Sequence, residues 1–409
     1  MEPLRRDAQT WACYALILAM AVLQGGLGGL LPFIRAEFGF SHTVLSLHIT
    51  AMAVGGLIAS LITDRIRRRV GRLAVLLATA VLASLGALLL VTGRSPFWTV
   101  PAVVLIGMSV VGALIVAQAL VVEKYGPLSS GLIGELNLGY AIGAVLALFG
   151  LPWLTASILG WRTLPLLPAA LLLVVVLPWL WRTGRPTPQP VAGDSGTSVS
   201  RWVLGRPRLA FVAMALCVAV EWSFLYWLAT YLVDATGHTP EAAAQSTAVM
   251  WIAVLVGRAA GTLLLPRYGA AHVLTGSLLV ALLTSGVLWY AQDGAMALVA
   301  AVLAGIAAAN LYPGGIALVV SGFGERPDSA VAQAMLWAGA VGIGFPLSLG
   351  VAADAVGLSS AFWAVPLVAV LALLFVRLTG SRLAPEEVRG TPDDTDLGDA
   401  SVAAERGVR

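Results

Sequence analysis

The stretch LAVLLATAVLASLGALLLVT, Leu73 to Thr92, runs for twenty residues without a charge. At about 1.5 Å per residue, a helix of that length spans about 30 Å, the thickness of the hydrocarbon core of a bilayer. Its polar side chains are limited to threonine and serine. The stretch therefore predicts a membrane-spanning helix.

The composition of the whole chain points the same way. Of its 409 residues, 59% are hydrophobic and only 11% are charged. A soluble domain of this size could not stay in solution with that balance, so the lipid bilayer is the expected solvent. Cys13 and Cys217 both lie in apolar stretches, which argues against a disulfide framework and against a metal site built on cysteine.

Eleven further apolar segments have a similar length and are bounded by charges, glycine and proline. A first segment this long, followed by eleven others, indicates a membrane span rather than a cleaved signal peptide. We therefore predict an all-α membrane protein with twelve transmembrane helices. The predicted spans are Trp11 to Ile34, Val44 to Thr63, Leu73 to Thr92, Val100 to Val122, Gly131 to Leu154, Thr163 to Trp181, Leu209 to Val233, Ala244 to Leu265, Val273 to Ala291, Ala295 to Val320, Ala330 to Ala353 and Ala361 to Val376.

The basic residues alternate between the loops. One set of loops holds runs such as Arg65 to Arg72, whereas the other set holds only Arg35, Arg94 and Arg162. Because Arg and Lys are retained on the cytoplasmic side, this asymmetry predicts that both termini are cytoplasmic and that the protein lies in an inner (plasma) membrane. Topology also accounts for the net charge of +3, so no nucleic-acid partner is expected.

An internal repeat divides the chain into two halves. Gly237 follows Gly39 by 198 residues, and Arg267-Tyr268-Gly269 follows Arg69-Val70-Gly71 by the same 198. Matching offsets of this kind indicate the parallel duplication of a six-helix unit.

The duplicated units are predicted to be joined by a linker. The segment 183–200 is rich in Pro, Gly, Ser and Thr and has too little apolar surface to pack. We predict a six-helix bundle at 1–181, a cytoplasmic linker at 182–208, a second bundle at 209–378 and a disordered acidic tail at 379–409.

The loop after the second span carries a family resemblance. Gly55-Gly56 leads into DRIRRRVGR, Asp64 to Arg72. This arrangement resembles the signature of the major facilitator superfamily of transporters, with an extra pair of residues between Asp64 and Gly71. The resemblance implies two pseudo-symmetric six-helix bundles that carry a solute by alternating access.

Three further segments resemble the fucose-permease-like branch of proton-linked solute carriers. They are EWSFLYW from Glu221, GRAAG from Gly257 and NLYP from Asn310. The fifth span lacks the Gly-Pro pair typical of drug/proton antiporters. The resemblance therefore favours uptake over export.

Glu221 is the most informative single residue, because it lies at the middle of the seventh span. An ionised carboxylate at the bilayer centre costs about 3 kcal/mol or more, so it is retained only beside a cavity or a partner. We expect Glu221 to bind a coupling proton or the substrate, since transporters place these sites near the midplane. The alternative is a protonated carboxyl that is hydrogen-bonded within the bundle.

Two other intramembrane charges each allow more than one interpretation. Glu135 lies about one turn inside the fifth span, where its side chain can reach the interface; a second proton-coupling site or a gating contact with a basic residue is the alternative. Arg258 in the eighth span needs an acidic or carbonyl partner. A structural ion pair at the cytoplasmic gate is the first interpretation, and anion binding is the second.

Polar and aromatic side chains at similar depth make up the predicted substrate pocket. Amides in hydrocarbon need partners, which a water-filled cavity or a neighbouring helix can supply. Aromatic rings with polar edges can stack on a sugar or another flat solute, although packing in the bundle is the more common role. The candidate residues are Gln24, Asn137, Trp222, Tyr226, Trp227, Tyr231 and Asn310.

The charged loop after the second span is a candidate gate. Asp64 could form contacts with Arg69 and Arg72 around Gly71 that lock one state and release in the other. The positive-inside rule explains the same charges without any gating role.

These features favour a secondary transporter over other membrane proteins. The chain has no Gly-rich loop ending in Gly-Lys-Ser or Gly-Lys-Thr that would bind ATP. Its four histidines, His42, His48, His238 and His272, are scattered, so no metal, no cofactor and no enzyme activity is expected. We predict a monomer that takes up a sugar-like or other small polar metabolite together with protons. Proton-driven efflux of an antibiotic-like or toxic compound is the alternative.

Overall fold

The computed structural model describes residues 6–126, 129–183, 208–291, 293–321 and 327–383. Within these ranges the regular structure is helical, with no β-strand. Most of the predicted linker at 182–208 and of the predicted tail at 379–409 lies outside the described residues. The predicted all-α fold is confirmed.

Within the described ranges, twelve helical segments are long and apolar enough to cross a membrane, as predicted. The sixth crossing joins two helices through a π-helical segment, Leu172–Val176. In chain order the α-helices are α1 Ala8–Gly25, α2 Leu27–Phe38, α3 His42–Val70, α4 Arg72–Thr92, α5 Pro96–Tyr125, α6 Ser129–Thr155, α7 Thr163–Leu171, α8 Leu177–Thr183, α9 Arg208–Asp234, α10 Pro240–Tyr268, α11 Ala270–Trp289, α12 Gly294–Ala309, α13 Leu311–Ser321, α14 Pro327–Val356, α15 Leu358–Ala361 and α16 Ala364–Leu383.

The helix α3 is longer than predicted. It continues past Thr63 through the arginine run to Val70, so the predicted loop at 64–72 is wrong in extent. Arginine is a strong helix former, and the helix can continue after it leaves the apolar layer. It ends where Gly71 adopts a φ of 86°, a conformation that favours glycine.

Close helix packing repeats in the two halves. A Cβ atom on Gly107 of α5 would overlap the carbonyl oxygen of Met52 in α3. A Cβ atom on Gly305 of α12 would likewise overlap the carbonyl oxygen of Met250 in α10. Both members of the second pair follow those of the first by 198 residues. The backbones therefore meet at equivalent points in each half, in agreement with the predicted repeat.

We expect Gly107→Ala and Gly305→Ala to lower the melting temperature of the purified protein. Alanine favours a helix over glycine by about 1 kcal/mol, but here it meets a backbone carbonyl, and overpacking costs about 1–3 kcal/mol. The matched control is Gly276→Ala in α11, where a Cβ atom meets no neighbour within 4 Å. Equal melting temperatures for all three variants would contradict this account.

The helix ends define two sides of the molecule. The basic side is where α1, α4 and α6 begin, and the opposite side is where α2 ends at Phe38 and α3 begins at His42. On the basic side, three ion pairs link elements of the first half. They are Arg6 with Glu135, Arg72 with Glu123 and Lys124 with Asp7.

Asp7 fixes the start of the chain to α5. It caps α1 by accepting hydrogen bonds from the Thr10 amide at 3.0 Å and from the Thr10 hydroxyl at 2.7 Å, and it also pairs with Lys124. Partial burial opposes its ionisation, but the contacts with Lys124 and Thr10 outweigh this effect and hold the pKa of Asp7 below its ordinary value.

Candidate functional site

Glu221 lies midway along α9, and only 4% of its surface is exposed. A carboxylate at this depth needs compensation, because the loss of water is not offset by apolar neighbours. The contacts around it therefore indicate what this part of the bundle can bind.

Arg258 of α10 is the ionic partner of Glu221. One guanidinium nitrogen, Nη2, lies 3.5 Å from Glu221 Oε1. The second carboxylate oxygen, Oε2, and the Arg258 Nε atom are both buried without a hydrogen-bond partner among the described residues. The pair thus keeps one unused acceptor and one unused donor.

A break in the tenth crossing faces the same carboxylate. The helix α12 ends at Ala309, and α13 begins at Leu311. Pro313 explains the break, because its nitrogen cannot bond to the Ala309 carbonyl and its ring clashes with that group in a continuous helix. The backbone amide of Tyr312, in the first turn of α13, lies close to the Glu221 carboxylate. The partial positive charge of a helix N-terminus therefore adds to that of Arg258.

Asn310 holds this break against α10. Its side-chain amide donates to the Gly257 carbonyl at 3.0 Å. Its Oδ1 atom occupies the space that a Cβ atom on Gly261 would fill. Gly261 therefore makes room for the Asn310 side chain, Gly257 accepts its hydrogen bond, and the amide serves a contact between helices.

Aromatic residues extend the site toward the first half. Trp222 and Tyr226, one helical turn apart, contact each other edge to face with centroids 5.1 Å apart. The Trp222 ring also packs against α14 at Gly342, where a Cβ atom would lie 3.1 Å from the ring. Across the interface between the halves, Gln24 of α1 donates from Nε2 to the Tyr226 hydroxyl at 3.5 Å.

Two tyrosines of the site were missed by the sequence analysis. Tyr140 of α6 is close enough to Tyr226, Arg258 and Glu221 to interact with them electrostatically. Tyr312 of α13 interacts in the same way with Glu221 and Arg258. The available signal was a phenol inside an apolar span, three residues after Asn137 in the case of Tyr140.

Three other predicted pocket residues have different surroundings. Trp227 is fully buried, with no partner for its indole nitrogen among the described residues. Tyr231 contacts Phe362 with centroids 4.7 Å apart, and it lines a cavity of about 240 Å³ between α9, α11 and the α15–α16 segment. Asn137 is exposed on α6. None of these contacts involves Glu221.

Glu135 belongs to a different cluster near the basic side. It accepts hydrogen bonds from Arg6 Nε at 2.9 Å and from the Tyr14 hydroxyl at 2.7 Å. All three residues lie in the first half. Glu135 thus has two partners of its own and is not brought next to Glu221.

The ion pairs of the candidate gate differ from those predicted. Asp64 pairs with Arg67 at 2.5 Å and with Arg68 at 2.6 Å, not with Arg69 or Arg72. Because α3 continues to Val70, the residues three and four positions after Asp64 lie on its face of the helix. Arg72 pairs with Glu123, and Arg69 is exposed at the end of α3.

Comparisons with known proteins agree with this architecture. The chain is 26% identical over 328 residues to an uncharacterised MFS-type transporter of Yersinia pestis, a match that covers 77% of this chain and 83% of the relative. A mutant of the nucleoside transporter NupG superposes with a TM-score of 0.77 at 12% identity, covering 91% of this chain and 99% of that one.

Two other solved structures share the fold. A bacterial homologue of the human lysosomal transporter Spinster, inward-facing and occupied, has a TM-score of 0.72 at 17% identity and covers 94% of this chain and 98% of its own. A D-xylose–proton symporter has a TM-score of 0.65 at 17% identity, and the match covers 90% of this chain and 95% of the symporter. Residues 13–326 match the family model of the Major Facilitator Superfamily. The chain is a membrane transporter that belongs to the major facilitator superfamily.

Proposed function

We propose that this transporter takes up a small hydroxylated metabolite, such as a sugar or a nucleoside, together with a proton that binds at Glu221. The observation that carries the proposal is the buried carboxylate of Glu221, which faces both Arg258 and the N-terminus of the half-helix α13. Transporters use half-helix ends at the midplane to bind charged groups of substrates and coupling ions.

Proton binding at Glu221 would change which groups the Arg258 side chain can bind. An ionised Glu221 compensates the charge of the guanidinium. A protonated Glu221 leaves that charge uncompensated, so the Arg258 side chain is free to donate hydrogen bonds to oxygen atoms of a solute. Proton and solute then bind together, which is the condition for symport.

The surrounding residues support a hydroxylated solute. Glu221 Oε2 and Arg258 Nε offer one unused acceptor and one unused donor, which suit the hydroxyl groups of a sugar ring. Tyr226 and Gln24 add polar groups from both halves, and Trp222 adds an aromatic face. Transporters of similar fold are named for nucleosides and for D-xylose with protons, which supports the same chemical class.

We further infer that the basic side faces the cytoplasm and that the segments 1–181 and 209–378 move as two units. In this orientation, the contacts between halves that lie on the opposite side close the outer entrance. The fifth span lacks the Gly-Pro pair typical of drug/proton antiporters, which favours uptake over the alternative of proton-driven efflux.

Proteoliposomes test the proposal directly. We expect radiolabelled sugars or nucleosides from a panel to accumulate inside vesicles when the outside is acidic, and not when an ionophore removes the gradient. Protein-free liposomes give the background. Transport of a panel member that is indifferent to every imposed pH gradient would refute proton coupling. Accumulation that requires an acidic lumen would favour the efflux alternative.

A further inference from the structure

Three charged residues and one histidine on the opposite side form a cluster that joins the two halves. Arg35 and His42 belong to the first half, and Asp234 and Asp354 belong to the second. We refer to these four residues as the latch cluster. It lies at the ends of α2, α9 and α14 and at the start of α3.

His42 is at the centre of the latch cluster. Its Nε2 atom lies 2.7 Å from Asp234 Oδ2, and its Nδ1 atom lies 3.0 Å from Asp354 Oδ1. The side chain is mostly buried, with 11% exposed. One imidazole ring therefore contacts a carboxylate on each side, and both carboxylates come from the other half.

Both carboxylates also contact other donors. Asp354 accepts hydrogen bonds from the backbone amide of His42 at 2.7 Å and from that of Thr43 at 2.9 Å. Asp234 is paired with the guanidinium of Arg35. An ionised carboxylate only accepts hydrogen bonds, so each contact with the ring needs an N–H on the imidazole.

A neutral imidazole cannot meet this requirement, because it has one N–H and one lone pair. Only the protonated ring donates from both nitrogens, and it also gives the cluster two positive and two negative charges. The neighbouring charged groups are otherwise engaged. Glu37 pairs with Arg162 and accepts from the Trp161 indole, and the His238 ring is bonded to the hydroxyl of Thr236.

We propose that His42 is a second proton site, formed only when the two halves are closed on the opposite side. The ring belongs to the first half and both of its carboxylate partners belong to the second half, so opening the molecule removes Asp234 and Asp354 from the ring. Proton binding and closure are then linked reciprocally: the proton favours the closed form, and the closed form binds the proton more tightly. Falling pH therefore favours closure and rising pH favours opening. This inference does not depend on the proposed substrate or on proton coupling at Glu221.

The two proton sites are well separated. Asp234 follows Glu221 by thirteen positions along α9, which is about 20 Å at 1.5 Å per residue. Protonation at the latch cluster can therefore be tested independently of Glu221.

Spin labels across the opposite side provide the test. Cysteines replace Arg94 in the first half and Ser359 in the second, both exposed. The native Cys13 and Cys217 are buried, so the labels attach to the introduced sites. Pulsed electron–electron distance measurements on the full chain in lipid nanodiscs then give the ratio of closed to open molecules between about pH 8.5 and 5.5.

We expect the closed-to-open ratio of the otherwise native protein to rise as the pH falls, by up to about tenfold per pH unit for one linked proton. His42→Gln should show almost no change over the range, because its amide cannot gain a proton. His42→Arg should stay closed throughout, because its charge is permanent. Glu221→Gln should keep the full pH response.

Three results would overturn the inference. They are a wild-type ratio that does not change with pH, an unchanged slope in His42→Gln, and a slope lost in Glu221→Gln but kept in His42→Gln. If His42→Gln fails to fold, Asp354→Asn provides the second measurement. Its neutral amide removes one charge that favours the imidazolium, so its pH response should be reduced.

Discussion

Glu221→Gln is expected to abolish pH-driven accumulation of the solute while leaving passive exchange across the membrane. The amide has nearly the shape of the carboxyl but cannot bind and release a proton. One coupled proton can support up to about tenfold accumulation per pH unit of gradient, since each unit is worth about 1.4 kcal/mol. In the variant the ratio of inside to outside solute should fall to about one at equilibrium, because nothing links the solute to the gradient.

The matched control is Glu135→Gln. Glu135 is also a carboxylate within a membrane span, but its partners Arg6 and Tyr14 lie in its own half. This variant should accumulate solute as the wild type does. If Glu135→Gln loses accumulation and Glu221→Gln keeps it, the coupling site is assigned to the wrong carboxylate.

Arg258→Met is expected to reduce transport to the background of empty liposomes and to lower the stability of the folded protein. Removing one partner of a fully buried pair costs about 3–5 kcal/mol, because the other charge is left uncompensated. The Arg258 side chain is 34% exposed and its nitrogen lies 3.5 Å from Glu221, so we expect a smaller loss, about 2 kcal/mol.

The double variant Glu221→Gln with Arg258→Met distinguishes this explanation from simple loss of packing. When both charges are absent, no buried charge is left without a partner, so much of the lost thermal stability should return. Transport should not return, because proton and solute sites are both missing. Additive losses of stability in the double variant would mean that the two residues do not interact.

The latch cluster adds a second place where protons can act on the transport cycle. Glu221 is buried at mid-depth and pairs with Arg258 of its own half, whereas His42 contacts carboxylates of the other half. Protonation at Glu221 would act on solute binding, and protonation at His42 would act on the closure of one entrance. The two effects have separate readouts, since the first changes accumulation and the second changes the population of closed molecules.

The sequence by itself determined the fold and the position of the central carboxylate. Spans of about twenty apolar residues leave no alternative to helices in a bilayer, because every backbone polar group must be satisfied within its own segment. The offset of 198 residues predicted the repeated packing that Gly107 and Gly305 show. Glu221 could be identified because a charge at the midplane is costly wherever it occurs.

Other features were present in the sequence but were not interpreted correctly. The pairing of Asp64 with Arg67 and Arg68 follows from helical periodicity once α3 is known to extend to Val70. The break before Pro313 follows from the missing N–H of proline. In both cases the local chemistry was sufficient to predict the feature. For Asp64 the helix was assumed to end too early, and for Pro313 the helix was assumed to be continuous.

Only the tertiary structure decided which remote residues meet. Arg258 and the amide of Tyr312 reach Glu221 because α10 and α13 pack beside α9, and the latch cluster depends on how the two halves dock. Periodicity within one helix fixes which residues share a face, but the rotation and depth of each helix relative to the others are set by side-chain packing over the whole bundle. Partner identity for a buried charge is therefore a property of the assembled molecule, whereas the need for a partner is already encoded in the span.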